Sequence, residues 1–373
     1  MTSDRVAVVS SAQTELRECW SGAQHIDLIS AVVADVFKGT GLSLEDVDFV
    51  FDSGSDVLDG RSISNCGFLG AMGAHHKEES RIEEDGLWAA LYGVAKIASG
   101  TAGVGLIIAY SKPSESDVNL FYATQCEPFY QRPVGFDHRA ASGLQAQRYL
   151  VDHGVTDKAL AALVAKRWSD AERGGRIAVP STPSAEDVLG ADVVARPLTK
   201  LMMSRPVDGA VAVLLASEDI SRRATHRPVW VTGMGAAAAG HAFATRKAGV
   251  LEACEAAARS AYARAGWSDP TAAAVAETSA SSAVSELLVL EALGLAKAGR
   301  GIDLLGGGRI SINKSGGALP ADPIMATGLV RLSEAARQLG VPEEYGPDAP
   351  AAAIVHGAGG VGMQTHCVFT LEV

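Results

Sequence analysis

Short apolar runs alternate along the chain with segments whose apolar residues recur at helical spacing. RVAVVSSA (5–12) predicts a strand, HIDLISAVVADVFKGTG (25–41) an amphipathic helix stopped by glycine, and VDFVFDSGS (47–55) a second strand. Three acids, Glu83, Glu84 and Asp85, then stand before GLWAALYGVAKIASG (86–100), a helical pattern whose Gly86, Ala89, Ala90, Gly93 and Ala95 permit very close packing. GVGLIIAYS (103–111) is almost continuously apolar, as expected of a strand covered on both faces. A helix is expected over 137–173. Pro180, Pro183, Pro197 and Pro206 then mark a long surface excursion that reads as a ligand cover, and DGAVAVLLAS (208–217) closes the series as a strand.

The pattern then starts again. PVWVTGMGAA (228–237) answers the first strand, LEACEAAARSAYARAGW (251–267) the first helix and AAAVAETSA (272–280) the second strand, while HCVFTLEV (366–373) closes the second half as DGAVAVLLAS closes the first. An α/β layered fold of two related halves follows.

With 373 residues, 47% of them hydrophobic, the chain fills one large core or two fused ones. A net charge of −11 argues against a nucleic-acid partner, which asks for a basic face. No apolar stretch is long enough to span a membrane and no secretory layout opens the chain, so a cytoplasmic location is expected. Cys19, Cys66, Cys126, Cys254 and Cys367 are scattered with no CxxC pair, so neither a disulfide framework nor a metal site is expected. The densest basic and aromatic cluster, AKRWSDAERGGR with Lys166, Arg167 and Trp168, is either a patch for an anionic cofactor or the solvated face of a surface helix. His75 and His76, in a polar loop, read as solvent-facing.

Three segments carry a resemblance. SINKSGGALPADPIMATGLVRLSEAARQL (311–339), AIVHGAGGVGM (353–363) and SAEDVLGADVVARPLTKLMMSRPVDGAVAVLLAS (184–217) are similar to segments of the thiolase superfamily, the last to its sterol-carrier and lipid-transfer branch. The resemblance implies the thiolase fold: two duplicated βαβαβαββ halves stacked as five layers (αβαβα). The first half is expected over 1–220, with a lid-like loop region at about 113–207, and the second over 226–373. It also implies a coenzyme A thioester as substrate or ligand; the residues expected to bind it are Lys166, Arg167 and Trp168 of the basic cluster together with Gly316, Gly317, Gly359 and Gly360. Further implications are dimerisation with itself or with another thiolase-fold chain and association with a small OB-fold, zinc-ribbon protein.

Carried over position by position, the resemblance puts Glu83 where the family has its nucleophilic cysteine, Asp322 where it has the histidine of Gly-His-Pro, and Ser279 near the water- or oxyanion-holding position. His356, ahead of the glycine-rich turn, takes the acid/base position, where an ordinary pKa near 6.5 suits proton transfer. A carboxylate cannot replace the thiolate: its acyl adduct would be a mixed anhydride quickly lost to water. Ordinary thiolase turnover is therefore not expected. A carboxylate before a helix also has a purely structural use, accepting free backbone N–H groups and meeting the helix dipole, for about 0.3–1 kcal/mol. If Glu83 is buried, desolvation should raise its pKa and make it a proton carrier.

Three functions are open at this point. The first is a cysteine-free subunit of an acyl-CoA carbon–carbon bond-forming or cleaving complex that supports a partner's site. The second is a lipid-transfer-branch retro-aldolase acting on β-hydroxyacyl-CoA, although the tyrosine-bearing motif of those enzymes is replaced by ETSASS. The third is a non-catalytic acyl or lipid carrier.

Overall fold

A computed structural model describes residues 5–340 and 350–373. Among them, ten strands form one sheet: β1 (Val6–Gln13), β2 (Phe49–Ser53), β3 (Glu78–Ile82), β4 (Val104–Ser111), β5 (Gly209–Ser217), β6 (Val229–Ala238), β7 (Val275–Thr278), β8 (Ser311–Ile312), β9 (Ala352–Gly359) and β10 (Thr365–Glu372). The helices that position the site are α1 (His25–Val36), α2 (Gly86–Ala98), α3 (Val118–Thr124), α4 (His138–His153), α5 (Asp157–Gly174), α6 (Glu252–Ala265), α7 (Ala283–Ala292) and α8 (Thr327–Gly340).

The strand order is β8-β7-β9-β10-β6-β1-β5-β4-β2-β3. Counted outward from the antiparallel join of β1 and β6, each half reads first, fifth, fourth, second, third. The parallel and antiparallel pairings also match between halves. The repetition expected from the sequence is thus present in the topology.

Helices α2 and α8 lie back to back between the two half-sheets, in a core that joins Leu87, Ala89 and Ala90 to Leu329, Leu332 and Ala335. Helix α1 covers the outer face of the first half-sheet, and α6 and α7 that of the second. This gives the layered α/β arrangement of the thiolase fold. Every residue of β4 is buried, as its unbroken apolar run predicts.

One expectation needs correction and another needs detail. The segment 137–173 is two helices, α4 and α5, because Gly154 takes a left-handed conformation (φ 67°) that caps α4 and turns the chain. The proline-marked stretch lies mostly at the surface but is not structureless: a short helix (Ala185–Gly190) and a small hairpin occupy it, anchored by Val188, Leu198 and Met202, which are buried in the second core.

Candidate active-site cavity

The three consecutive acids have three different environments. Asp85 is the N-cap of α2, and its carboxylate serves two helices. Oδ1 accepts from Leu87 N at 3.0 Å, in the first turn of α2, and Oδ2 from Gly328 N at 2.7 Å, in the first turn of α8. The helices can approach this closely because Gly86 has no side chain: a Cβ there would lie 2.8 Å from the Cβ atoms of Ala109 and Leu329. Asp85 is fully buried, and desolvation outweighs its backbone donors, pushing its pKa up to about 7.

Glu84 turns toward the glycine-rich turn after β9. Its Oε2 lies 3.3 Å from Thr365 Oγ1 and would sit 2.5 Å from a Cβ at Gly359. Burial raises its pKa. Glu83, the residue expected at the nucleophile's position, is exposed; its Oε1 accepts from Ser55 Oγ at 3.1 Å and from Asp56 N at 3.2 Å. The buried-proton-carrier expectation for Glu83 is therefore not met. The adjacent Glu84 meets its conditions, because the chain turns inward one residue before the helix cap.

The acids border a cavity of about 810 Å³, within the range of small-molecule sites. Asp322 lines it, half-buried, with Oδ1 accepting from Thr327 Oγ1 at 2.5 Å and Oδ2 from Ser204 Oγ at 2.7 Å; desolvation raises its pKa. Ser279 also lines the cavity, its hydroxyl buried and without a partner. Gly359 and Gly360 contribute backbone to the wall and Trp168 an indole face. Tyr122 stacks on His138, ring centroids 4.1 Å apart. Burial keeps the Tyr122 phenol protonated by raising its pKa, and holds His138 neutral by lowering its pKa to about 4. The exposed side chains of Arg139 and Lys200 put positive charge on the lining.

Other expected site residues lie elsewhere. His356 is fully buried and absent from the cavity lining; its Nε2 is 3.0 Å from Nδ1 of His366, and burial, then His366, lowers its pKa well below the usual histidine value. Alternation along β9 explains the error: Gly357 and Gly359 face the acids, whereas His356 points to the opposite face of the sheet, among the second core. Arg167 is likewise committed, its guanidinium bound to Glu286 at 2.7 Å, Asp170 at 3.3 Å and the Ile312 carbonyl at 2.9 Å. Lys166 pairs with Asp170 at 2.8 Å. Gly316 and Gly317 allow tight packing, since a Cβ would meet Ala171 at 2.6 Å or Asn313 at 2.9 Å.

Glu84, Tyr122, His138 and Thr365 escaped the sequence reading as members of one site. They come from separated segments with no fixed spacing, and only the acids carried a local signal. None of the five cysteines is among the lining residues. Cys367 comes nearest to the start of α2, its sulfur 4.0 Å from the Leu87 carbonyl, but it is fully buried, and burial followed by the charges of Asp85 and Glu84 pushes its pKa far up.

Comparison with known proteins agrees with this architecture. Residues 235–372 match the family described as "Thiolase C-terminal domain-like". An acetyl-CoA acetyltransferase of Methanothermobacter thermautotrophicus is 25% identical over 353 residues, covering 90% of each chain. The benzoylsuccinyl-CoA thiolase subunit BbsB of Thauera aromatica is 28% identical over 204 residues, 52% of this chain and 53% of that one. Among solved structures, the Ltp2-ChsH2(DUF35) aldolase superposes with a TM-score of 0.84 at 19% identity, covering 100% of this chain and 99% of that one. A monomeric SCP2-thiolase-like protein type 1 of Mycobacterium smegmatis superposes with a TM-score of 0.76 at 17% identity, covering 98% and 76%. Among the described residues no helix is long and apolar enough to cross a membrane. Repeated topology, the C-terminal family match and these relatives together place the chain in the thiolase superfamily, with the fold of its SCP2-thiolase-like branch.

Proposed function

We propose that this chain is the thiolase-fold subunit of a complex that cleaves, or in reverse forms, a carbon–carbon bond in an acyl-CoA by aldol chemistry, with no covalent acyl-cysteine. The observation that carries this reading is Glu84: a carboxylate of raised pKa, with Thr365 as its one side-chain partner among the described residues, on a cavity that no thiol lines. Asp85 and Asp322 have both oxygens engaged, so Glu84 is the carboxylate best placed to take a proton.

In the cleavage direction, Glu84 removes the proton from the β-hydroxyl of a β-hydroxyacyl-CoA. The O–H electrons form the new carbonyl, the Cα–Cβ bond breaks, and its electron pair passes to the thioester as an enolate. Glu84 then returns the proton to Cα, leaving a shorter acyl-CoA and a free aldehyde or ketone. Raised basicity at Glu84 favours the first transfer. The enolate oxygen is stabilised by donors that stay protonated, Tyr122 O–H and the backbone of the turn at Gly359 and Gly360. Arg139 and Lys200 take the phosphate-binding role first expected of Lys166 and Arg167.

A heteromeric assembly fits the same site. Phe129 and Tyr130, 79% and 83% exposed, follow directly on the cavity-lining segment around Tyr122, a surface suited to a second chain such as a small OB-fold protein. The test is an assay of the protein, alone and with the chains that co-purify with it, against a panel of β-hydroxyacyl-CoA thioesters. Glu84→Gln should lower turnover by about 10²–10⁴-fold, while acyl-CoA binding persists. Full activity in Glu84→Gln, or activity abolished by a thiol-alkylating reagent, would overturn the reading.

A further inference from the structure

Behind the cavity wall, on the outer face of the second half-sheet, lies a cluster that the proposed chemistry does not use. Cys254 on α6, His356 on β9 and His366 on β10 are all fully buried, and one donor atom from each lies within 4.8 Å of the others. The hydrogen count of the two rings leaves them short of a partner. His366 Nε2 is 3.0 Å from the Met363 carbonyl, which only accepts, so that nitrogen carries the proton and Nδ1 is a bare lone pair. His356 Nε2, 3.0 Å from that lone pair, must then donate to it. His356 Nδ1 is left as a second lone pair, buried and without a partner. A buried acceptor with no donor costs about 1–3 kcal/mol.

A cation can take the place of the ring-to-ring hydrogen bond. We propose that Cys254, His356 and His366 form a structural site for a thiophilic d¹⁰ metal ion, zinc(II) or copper(I), bound by His356 Nε2, His366 Nδ1 and the Cys254 thiolate, with the ring proton of His356 moving to its Nδ1. On binding, the cysteine proton leaves for solvent and both imidazoles stay neutral. Two nitrogens and a thiolate are the donor set such ions favour. Tetrahedral zinc sets neighbouring donors about 3.3–3.6 Å apart, so the ring nitrogens, 3.0 Å apart, must spread by a few tenths of an ångström and a donor as far off as 4.8 Å must close in by about 1 Å. The His366-to-carbonyl bond already supplies the orienting contact that metal-bound histidines make through their second nitrogen. The sequence shows no metal spacing because the ligands come from a helix and two strands of separate segments, which is why no metal was expected from it. The ion would tie α6 to β9 and β10 on either side of the turn at Gly359–Met363, and so stiffen the wall that carries the backbone donors of the cavity.

The test is metal analysis by mass spectrometry of protein expressed in medium supplemented with zinc or with copper, combined with cobalt(II) loading during refolding. The expected result is about one metal ion per chain, with a cobalt–thiolate charge-transfer band, both lost in Cys254→Ala and Cys254→Ser and both retained in Cys126→Ser. Which metal is retained identifies the ion. Thermal midpoint should rise with the metal in the unaltered chain and not in Cys254→Ala, a variant that removes only one buried sulfur. Metal below about one-tenth per chain in every preparation overturns the proposal, as does bound cobalt without the thiolate band. The cluster is then a neutral histidine pair beside a core thiol.

Discussion

Asp85 sets two physical effects against each other, and a single substitution separates them. At the N-termini of α2 and α8 the helix dipoles favour the anion, by about 0.3–1 kcal/mol for each helix. Complete burial opposes this and prevails, holding the pKa at about 7 against an ordinary value of 3.8. Because the folded-state pKa is raised, the folded chain binds the proton more tightly than the unfolded one. The stability this contributes is complete below about pH 4 and is lost as pH rises through 7. Three pKa units correspond to about 4 kcal/mol, near 1.4 kcal/mol per pH unit between those limits. Asp85→Asn removes this titration but leaves one of the two buried backbone donors without an acceptor, at about 1–3 kcal/mol. The variant's stability relative to the parent should therefore rise by about 1.4 kcal/mol per pH unit from pH 4.5, any deficit at the acid end reversing by about pH 7. Urea unfolding of both proteins, followed by tryptophan fluorescence from pH 4.5 to 8.5, measures the difference; other titrating groups cancel between the two. A deficit that grows with pH would mean that the dipoles and backbone donors win, and that desolvation has been overweighted.

Further predictions concern the layer where α2 and α8 meet. Arg331 and Glu277 form a wholly buried ion pair at 3.0 Å, with Gln338 and Ser315 also bound to the carboxylate. Arg331→Met leaves a buried charge without its counterion and should cost about 3–5 kcal/mol in urea unfolding. Gly86→Ala drives a methyl to 2.8 Å from both Ala109 and Leu329, an overpacking cost of about 1–3 kcal/mol, read as a lower thermal midpoint. Tyr122→Phe removes a phenol donor from the cavity and should reduce kcat far more than it raises KM for a β-hydroxyacyl-CoA, by about 10²-fold or more.

The fold was legible because its signals are local. Apolar runs such as GVGLIIAYS become buried strands, and the second half restates the order of the first. The site was less legible because its membership depends on side-chain direction, which a one-residue change reverses. His356 and Gly357 are neighbours in β9, yet they face opposite sides of the sheet. Glu83 and Glu84 are neighbours before α2 and both border the cavity, yet one is exposed and bonded to Ser55 while the other turns inward to Thr365. A motif alignment fixes position along the chain and not this orientation. Arg167 shows the same limit for charge: a basic run on a helix gave no sign that one of its members would be sealed against Glu286 in the core.

On the proposed reading, the absence of sulfur chemistry at this site is a property of the surroundings and not of one missing atom. A cysteine at a helix N-terminus ordinarily becomes more acidic. Glu84→Cys would have that advantage, but Asp85 and Asp322 remain beside it, and no histidine lies where the family's base would be. Cys367 shows which effect prevails under the start of the same helix: its thiol is held protonated by burial and then by the neighbouring acids. Glu83→Cys places the sulfur at an exposed position of the cavity lining, beside Ser55. Neither variant should give a burst of free coenzyme A with acetyl-CoA, and alkylation of Glu84→Cys at pH 7 should be no faster than that of the exposed Cys19. A stoichiometric burst from Glu84→Cys would show instead that the helix terminus alone can activate a thiol among these carboxylates, and that the acids are compatible with acyl transfer.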